Sequence, residues 1–159
     1  MNVLASIEHG LRDLGYEAGA MHRAYSFADV LDPSAETRTV ALAAFTQTPE
    51  SFRSAAFGVI ENELDTPATI MANRALGAPV FFSIDGEEIG VWAVGARAAP
   101  RLIERVPVDE LPDLFTRYHD SWTPQALHRA KAVRLQRGPV QFDFVDLGLL
   151  PAIERVGGA

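Results

Sequence analysis

The chain has 159 residues, of which 48% are hydrophobic and 22% are charged, and this composition is typical of one globular domain with a buried core. Its formal net charge is -7, so the overall field repels phosphate, and any contact with nucleic acid must come from a local basic patch. The absence of cysteine excludes disulfides and thiolate metal sites, which leaves carboxylates and 4 histidines as candidate metal ligands.

Two further absences bear on localisation. No apolar run approaches the length of a membrane span, and the first residues lack the basic and then apolar layout of a signal peptide. A chain without cysteine also suits a reducing compartment. We therefore expect a cytoplasmic protein with no membrane partner.

The first third of the chain combines one helical pattern with two strand patterns. Apolar residues recur at the spacing of one helical face over residues 3–15, and Gly15 is placed to end this helix. Tyr25 to Glu36 has no regular pattern and is expected to be irregular. Arg38 to Phe45 and Ala55 to Ile60 are typical of strands. Because a short turn joins these strands, we expect them to pair antiparallel.

A helix and a hairpin follow the second of these strands. Pro67 stands at the first helical position, and Gly77 is placed to stop the helix. The expected inner face of this helix consists of small and apolar residues: Ala68, Met71, Ala72 and Ala75. Asp85-Gly86, between two apolar runs, predicts a hairpin from Val80 to Val94.

The second half is mostly helical by its pattern. Residues 96 to 107 contain two prolines and are expected to form a connector. Helices are predicted from Asp109 to near His119 and from Thr123 to near Arg134, and a short strand from Val140 to Val145. The apolar stretch from Leu147 to Val156 would dock onto the rest of the chain or onto a partner, because soluble proteins avoid large exposed apolar patches.

The order of motifs between Ala55 and Trp92 resembles a known family. A strand ends in Glu61, and a helix, the segment from Ala75 to Pro79, a strand, an Asp-Gly turn and a strand with Trp92 follow it. This order resembles the nuclease domain at the N-terminus of type I restriction endonuclease subunits. Residues 119–131 and 141–151 resemble the segments that follow the same domain in some adenine-N6 DNA methylases and restriction-modification proteins.

The resemblance implies a fold. It is an α+β fold with a restriction-endonuclease-like mixed sheet flanked by helices and a C-terminal helical appendage. Residues 1–95 would form the nuclease-like core, and residues 96–159 a helical extension packed on the same domain.

The resemblance also implies where a metal-dependent site would lie. In that family the strand ends in Glu-x-Lys and carries residues of the metal-dependent DNA cleavage site. Carried over by position, the family's Glu corresponds to Glu61, its Lys to Glu63, and its metal-binding Asp to Val40. Phosphodiester hydrolysis with Mg²⁺ needs converging carboxylates and a cation. Because two of the three positions are apolar or of the wrong sign, we expect a degenerate site without a cofactor.

A divergent nuclease remains an alternative, because other acids could replace the missing Asp. Asp29 and Asp32 lie upstream of the strand, and Glu8 lies on the first helix. In this hypothesis Glu61, Asp29 and Asp32 are catalytic, and Glu61 and Glu8 bind Mg²⁺. The simpler interpretation is that Glu61 and its acidic neighbours lie just before a helix. The positive N-terminal end of the helix dipole would stabilise their negative charge.

Positive charge concentrates in one segment of this acidic chain. The candidate DNA-binding residues, which would contact phosphates without reading sequence, are Arg129, Lys131, Arg134 and Arg137. At ~100° per residue these side chains spread over a wide arc, so a solvated helix face is the alternative. The hairpin aromatics Phe81, Phe82 and Trp92 are expected in the core rather than as a platform for base stacking.

These expectations lead to a functional hypothesis. The chain would be an accessory N-terminal module of a DNA restriction-modification or phage-defence protein, in which a degenerate nuclease-like domain docks to DNA or to another domain. Its partners would be weakly bound DNA or a methylase or restriction domain, and a homo-oligomer is left open. The alternatives are a divergent Mg²⁺-dependent DNA endonuclease and a protein-interaction domain with no DNA role, which the acidic charge favours.

Overall fold

The fold is a mixed sheet with helices on both faces. The computed structural model describes residues 2–28, 37–46, 55–61, 65–95 and 99–137, and for residues 131–137 it describes the backbone only. Within these ranges six strands form one sheet. The α+β class and the mixed sheet expected from the sequence are therefore confirmed.

The elements of the described ranges are as follows. The strands are β1 Met21–Phe27, β2 Arg38–Phe45, β3 Ala55–Glu61, β4 Val80–Asp85, β5 Glu88–Ala93 and β6 Arg101–Pro107. The helices are α1 Val3–Asp13, α2 Thr66–Ala72, α3 Leu111–Arg117, α4 His119–Trp122 and α5 Pro124–Arg137. Short 3₁₀ turns occupy Ala18–Ala20, Arg74–Leu76 and Val108–Glu110.

The strands lie side by side in the order in which they occur along the chain. Neighbouring strands pair antiparallel, with the exception of β3 and β4, which are parallel. A parallel pair needs a crossover connection, and α2 lies in it. The predicted antiparallel pairing of β2 with β3 and the hairpin of β4 and β5 are confirmed.

Local signals explain where α1 begins and ends. The Asn2 side chain accepts a hydrogen bond from the Ala5 N–H at 3.2 Å, which caps the N-terminus of the helix. Gly15 follows the helix with a φ of 110°, a conformation that favours glycine. The buried face includes Gly10, whose missing side chain lets α1 approach the ring of Phe115 on α3.

The helices divide the hydrophobic core into two clusters. On one face of the sheet, α1, α3, α4 and α5 cover a cluster centred on Trp122, which is fully buried. The Trp122 ring stacks on Tyr118 with the ring centroids 4.3 Å apart, and Phe57 and Phe82 meet it edge-on. On the other face, Ile70 of α2 packs into a second cluster.

Three sequence predictions for these elements are wrong in part. Tyr25 to Phe27 belongs to β1 rather than to an irregular segment. The connector expected over residues 96 to 107 contains strand β6, whose Val106 pairs with Ile89 of β5. Pro100 precedes this edge strand and Pro107 is its last residue, and such positions tolerate a residue that lacks an N–H.

The third error concerns α2 and its inner face. This helix has 7 residues, and Ile70 is its one buried side chain. Of the residues expected to face inward, Met71 is half-buried and the others are exposed: Ala68, Ala72 and Ala75. In so short a helix a single large side chain provides the anchor, because alanine has little apolar area to bury.

The C-terminal predictions are confirmed as far as the structure extends. The helix expected from Asp109 is divided into a 3₁₀ turn, α3 and α4, and the next helix, α5, continues to Arg137. The strand expected from Val140 to Val145 and the apolar stretch from Leu147 to Val156 lie outside the described residues.

Candidate functional site

A small cavity with a mixed polar and apolar lining lies at the C-terminal end of β3, where the resemblance would place a metal site. Its volume is about 230 Å³. Residues of β1, β2, β3 and the α2 region line it: Ala24, Thr39, Val40, Ala41, Ile60, Glu61, Thr69 and Asn73. Two of the three positions carried over from the nuclease family, Val40 and Glu61, thus belong to one cavity.

The sheet register explains why these two residues meet. Leu42 of β2 lies opposite Val59 of β3 in an antiparallel pair, so continuing the register brings Val40 to the level of Glu61. Val40 is buried and supplies no oxygen ligand, whereas Glu61 is the exposed last residue of an otherwise buried strand. Glu61 is therefore the one acidic residue that this strand pair contributes to the lining of the cavity.

The other acids of the nuclease hypothesis belong to two different places. Phe27 pairs with Arg38, so the connection 28–37 joins the end of β1 to the start of β2, next to Thr39, which lines the cavity. Asp29 and Asp32 are part of this connection, but they lie outside the described residues, as does Glu63.

Glu8 does not line the cavity of Glu61, and it is paired with Arg23. It lines a different cavity, together with His9 and Arg12. The Arg23 Nε donates a hydrogen bond to Glu8 Oε1 at 2.9 Å, and this bond raises the pKa of the Arg23 guanidinium. The structure therefore does not bring together the two proposed metal ligands.

Asn73 is a site residue that the sequence analysis missed. It follows α2 and is only 6% exposed. Its Nδ2 donates a hydrogen bond to the Thr69 carbonyl oxygen at 2.9 Å, while its buried Oδ1 has no hydrogen-bond partner among the described residues. An asparagine after a helix is a common C-terminal signal, but nothing in the sequence pattern indicated that this one lines a cavity.

The described residues of the cavity offer fewer oxygen ligands than a divalent metal requires. Among the side chains that the structure describes, no group of three or more His, Asp or Glu could hold a metal ion together. Glu61 and the Asn73 amide oxygen supply one carboxylate and one neutral oxygen, and Mg²⁺ prefers six oxygens at short distance. A Mg²⁺ site here would need further ligands from outside the described residues.

A larger cavity of about 670 Å³ lies between α1 and α3. Its floor is apolar and includes Leu111 and Phe115, and His9 and His119 are on its rim. Each histidine has an acidic neighbour: His9 lies 3.5 Å from Asp13, and His119 lies 3.3 Å from Asp120. The sequence patterns did not predict this cavity, because it forms only where α1 packs beside α3.

The basic segment lies on α5. Arg129 and His128 are exposed, whereas Leu127 and Ala130 of the same helix are buried in the core. Lys131, Arg134 and Arg137 continue the helix, but their side chains lie outside the description. One described member of the basic set, Arg129, is thus on the solvent side of the helix.

The hairpin aromatics are unavailable for base stacking, as expected. Phe81 and Phe82 are fully buried on opposite faces of the sheet, and Trp92 is 7% exposed. The Trp92 Nε1 donates a hydrogen bond to the Ser83 hydroxyl at 3.0 Å. These rings stabilise the core.

Comparisons of the chain with protein-family models, with curated proteins and with solved structures yield no match. Across the described ranges, none of the helices is long and apolar enough to span a bilayer.

Proposed function

We propose that this chain is an accessory module of a DNA restriction-modification or phage-defence protein, with a restriction-endonuclease-like fold whose active site is degenerate. Its task is to dock to DNA or to another domain of the same system. The observation that carries the proposal is the meeting of Val40 and Glu61 in one cavity at the end of β3.

The order of elements supports the relation to the nuclease family. The resemblance implied a strand ending in Glu61, then a helix, a strand, an Asp-Gly turn and a strand with Trp92. The same order runs from β3 through α2, β4 and β5, and Gly86 occupies the hairpin turn with a φ of 61°. Agreement along several consecutive elements is stronger support than a single motif.

The residue types at the family's three positions support the loss of activity. Cleavage requires carboxylates that converge on a metal, and a cation that offsets the charge building on the phosphate. Val40 stands where the family has its Asp, and Glu63 stands where it has its Lys. The single lysine of the chain, Lys131, lies on α5. The domain therefore keeps the scaffold without the full set of catalytic groups.

A divergent Mg²⁺-dependent nuclease is the second candidate, and one observation favours it. The connection 28–37, which carries Asp29 and Asp32, joins the end of β1 to the start of β2, and the start of β2 lies close to the level of Glu61 on β3. Under this alternative these acids replace the missing strand Asp, and Mg²⁺ would activate the attacking water. Glu8 is not required, because it is paired with Arg23 in a different cavity.

A cleavage assay distinguishes the two candidates. The purified chain is incubated with supercoiled plasmid and with linear duplex DNA in Mg²⁺ or Mn²⁺, beside Glu61→Ala, Asp29→Ala and Asp32→Ala. The degenerate module leaves all substrates intact. Cleavage that Glu61→Ala abolishes and that Asp29→Ala or Asp32→Ala weakens would establish the nuclease instead. Glu88→Ala, an exposed acid on β5, is the matched control and should behave like the unmutated chain.

A further inference from the structure

We propose that the groove between α1 and α3 is the binding site of the apolar segment 147–156 of the same chain. This inference goes beyond the docking role proposed above and depends neither on DNA nor on Glu61. The segment itself lies outside the described residues. The proposal stands on the lining of the groove, on the place where α5 begins, and on the length of chain that follows α5.

The groove offers an apolar floor. Its volume is about 670 Å³, and its floor consists of buried residues of the two helices and of the turn before α3: Gly10, Leu14, Val108, Leu111 and Phe115. The exposed residues Ala5 and Pro112 extend this apolar surface to the rim. The two smaller described cavities, of about 230 and 300 Å³, have a more polar lining. A groove of this kind is suited to apolar side chains.

The segment 147–156 is the matching apolar part of the chain that follows α5. Half of its ten residues have large aliphatic side chains: Leu147, Leu149, Leu150, Ile153 and Val156. If nothing covered them, they would form an exposed apolar patch that soluble proteins avoid. The groove and the segment therefore each present an apolar surface that the other can cover.

The charges of the groove and of the segment are compatible. No lysine or arginine lines the groove, and its acids are Asp13 and Asp109, so it disfavours a strongly acidic occupant. In the segment 147–156 the charges of Glu154 and Arg155 cancel, although the whole chain has a net charge of -7. The segment therefore brings no net negative charge to the acidic rim.

Helix α5 begins at one end of the groove. Leu14, next to the end of α1, and His119, next to the end of α3, both line the groove. A Cβ on Gly15 would lie 3.6 Å from the Cδ of Pro124, the first residue of α5. The start of α5 is therefore a fixed point beside the groove, from which the reach of the following chain can be measured.

The chain after α5 is long enough to return to the groove. The 14 residues of α5 span about 21 Å, so Arg137 lies within this distance of Pro124 in whichever direction the helix runs. The connection 138–146 can span up to about 30 Å when extended. A tether of this length holds the segment at an effective concentration on the order of millimolar, so a weak apolar contact is sufficient for occupancy.

A spin label tests this contact in the full chain. The chain has no cysteine, so Glu154→Cys provides a single site for a nitroxide. In the ¹⁵N-labelled protein we expect the backbone NMR signals of Ser6, His9 and Thr116 to lose most of their intensity until the nitroxide is reduced. The signals of α2, on the other face of the sheet, should keep theirs. No loss at the groove, or a larger loss at α2, would overturn the proposal.

Variants on both sides of the contact assign it to the named surfaces. In the spin-labelled chain Leu150→Asp should restore the groove signals, and Gly158→Asp, which adds the same charge outside the segment, should leave the losses unchanged. Ala5→Trp fills the groove from its exposed wall and should also restore the signals. Gln125→Trp, at an exposed position of α5 outside the lining, is its control. Losses that persist in Leu150→Asp or in Ala5→Trp would refute the contact.

A mixed sample distinguishes the same chain from a second copy. Spin-labelled chain without ¹⁵N is mixed with an equal amount of ¹⁵N-labelled chain without the nitroxide. We expect the groove signals to keep their intensity in this mixture, because each groove is occupied by its own segment. Losses as large as those within one chain would show that the segment of a second copy occupies the groove, and would overturn the proposal.

Discussion

The Tyr16 hydroxyl donates a hydrogen bond of 2.8 Å to the main-chain carbonyl oxygen of Trp122, across 106 residues of sequence. Tyr16 follows α1 and is 3% exposed, and its ring meets Phe57 of β3 edge-on. The bond therefore ties the end of the first helix to α4 and to the centre of the sheet. Burial raises the pKa of the Tyr16 phenol.

Removal of this hydroxyl should destabilise the protein. Tyr16→Phe keeps the ring in the core but leaves the buried Trp122 carbonyl without this donor, so we expect a loss of about 1 to 2 kcal/mol in the free energy of unfolding. Urea denaturation at neutral pH measures it. An unchanged free energy of unfolding would show that the Tyr16 bond contributes nothing to stability.

The same phenol should make stability fall at alkaline pH. In the unfolded chain it ionises near its ordinary pKa of 10.0, while burial keeps it protonated in the folded protein. The folded state then binds more protons, so its stability is fully present below about pH 10 and decreases as the pH rises further. Unfolding curves between neutral pH and pH 11 should show a smaller decrease for Tyr16→Phe. An equally steep decrease would contradict this prediction.

Gly10 should not tolerate even a methyl group. A Cβ at this position would lie 2.3 Å from two carbon atoms of the Phe115 ring, so α1 and α3 would have to separate. We expect Gly10→Ala to destabilise the protein by about 1 to 3 kcal/mol, even though alanine favours helices. Thermal unfolding checks this. Gly19→Ala is the control, because its Cβ would meet nothing within 4 Å. A rise in Tm for Gly10→Ala would refute the close packing.

Glu104 of β6 accepts two hydrogen bonds that should differ in strength. The Tyr118 hydroxyl donates to Oε2 at 2.6 Å, and Arg117 donates to Oε1 at 2.7 Å with 49% of its side chain exposed. We expect Tyr118→Phe to cost about 1 to 3 kcal/mol, and Arg117→Ala at most about 1 kcal/mol. When urea denaturation is measured at 1 M salt, the loss in the free energy of unfolding for Arg117→Ala should disappear and the loss for Tyr118→Phe should remain. The reverse order would contradict this ranking.

DNA binding, if it follows the proposed docking role, should be weak and strongly dependent on salt. Four basic side chains on α5 can release counterions from at most four phosphates, so the slope of log K against log salt should not be steeper than about −3.6 for duplex DNA. Fluorescence anisotropy on duplexes of different sequence measures it. Reversing all four charges, at Arg129, Lys131, Arg134 and Arg137, should abolish binding. Arg12→Glu on α1 is the control, and tight binding at physiological salt would overturn the prediction.

Sequence patterns were sufficient where a signal was local. The period of α1, the buried run of β3 and the Asp85-Gly86 turn each determine one element through neighbouring residues. Strand β6 was missed because Pro100 before it and Pro107 at its end are typical of a connector, and only pairing with β5 makes it a strand.

The candidate site also combines a residue with a local sequence signal, Glu61, and a residue without one, Asn73. Glu61 was recognised because it ends a buried strand, a feature that can be counted along the sequence. Asn73 is one polar residue after a short helix, and its role depends on two tertiary facts: the burial of its oxygen and the cavity shared with Glu61. Both depend on how α2 packs on the sheet, and the spacing of residues along the sequence does not predict this packing.

The order of the strands has a consequence for how the chain folds during synthesis. Because each strand lies beside the one made before it, every new strand leaving the ribosome finds its partner already present, and the sheet can grow in one direction from β1 to β6. Helix α1 is the exception. It emerges first, but Phe115, which packs against its Gly10, is translated more than one hundred residues later. The part of α1 around Gly10 therefore stays uncovered until α3 has been synthesised.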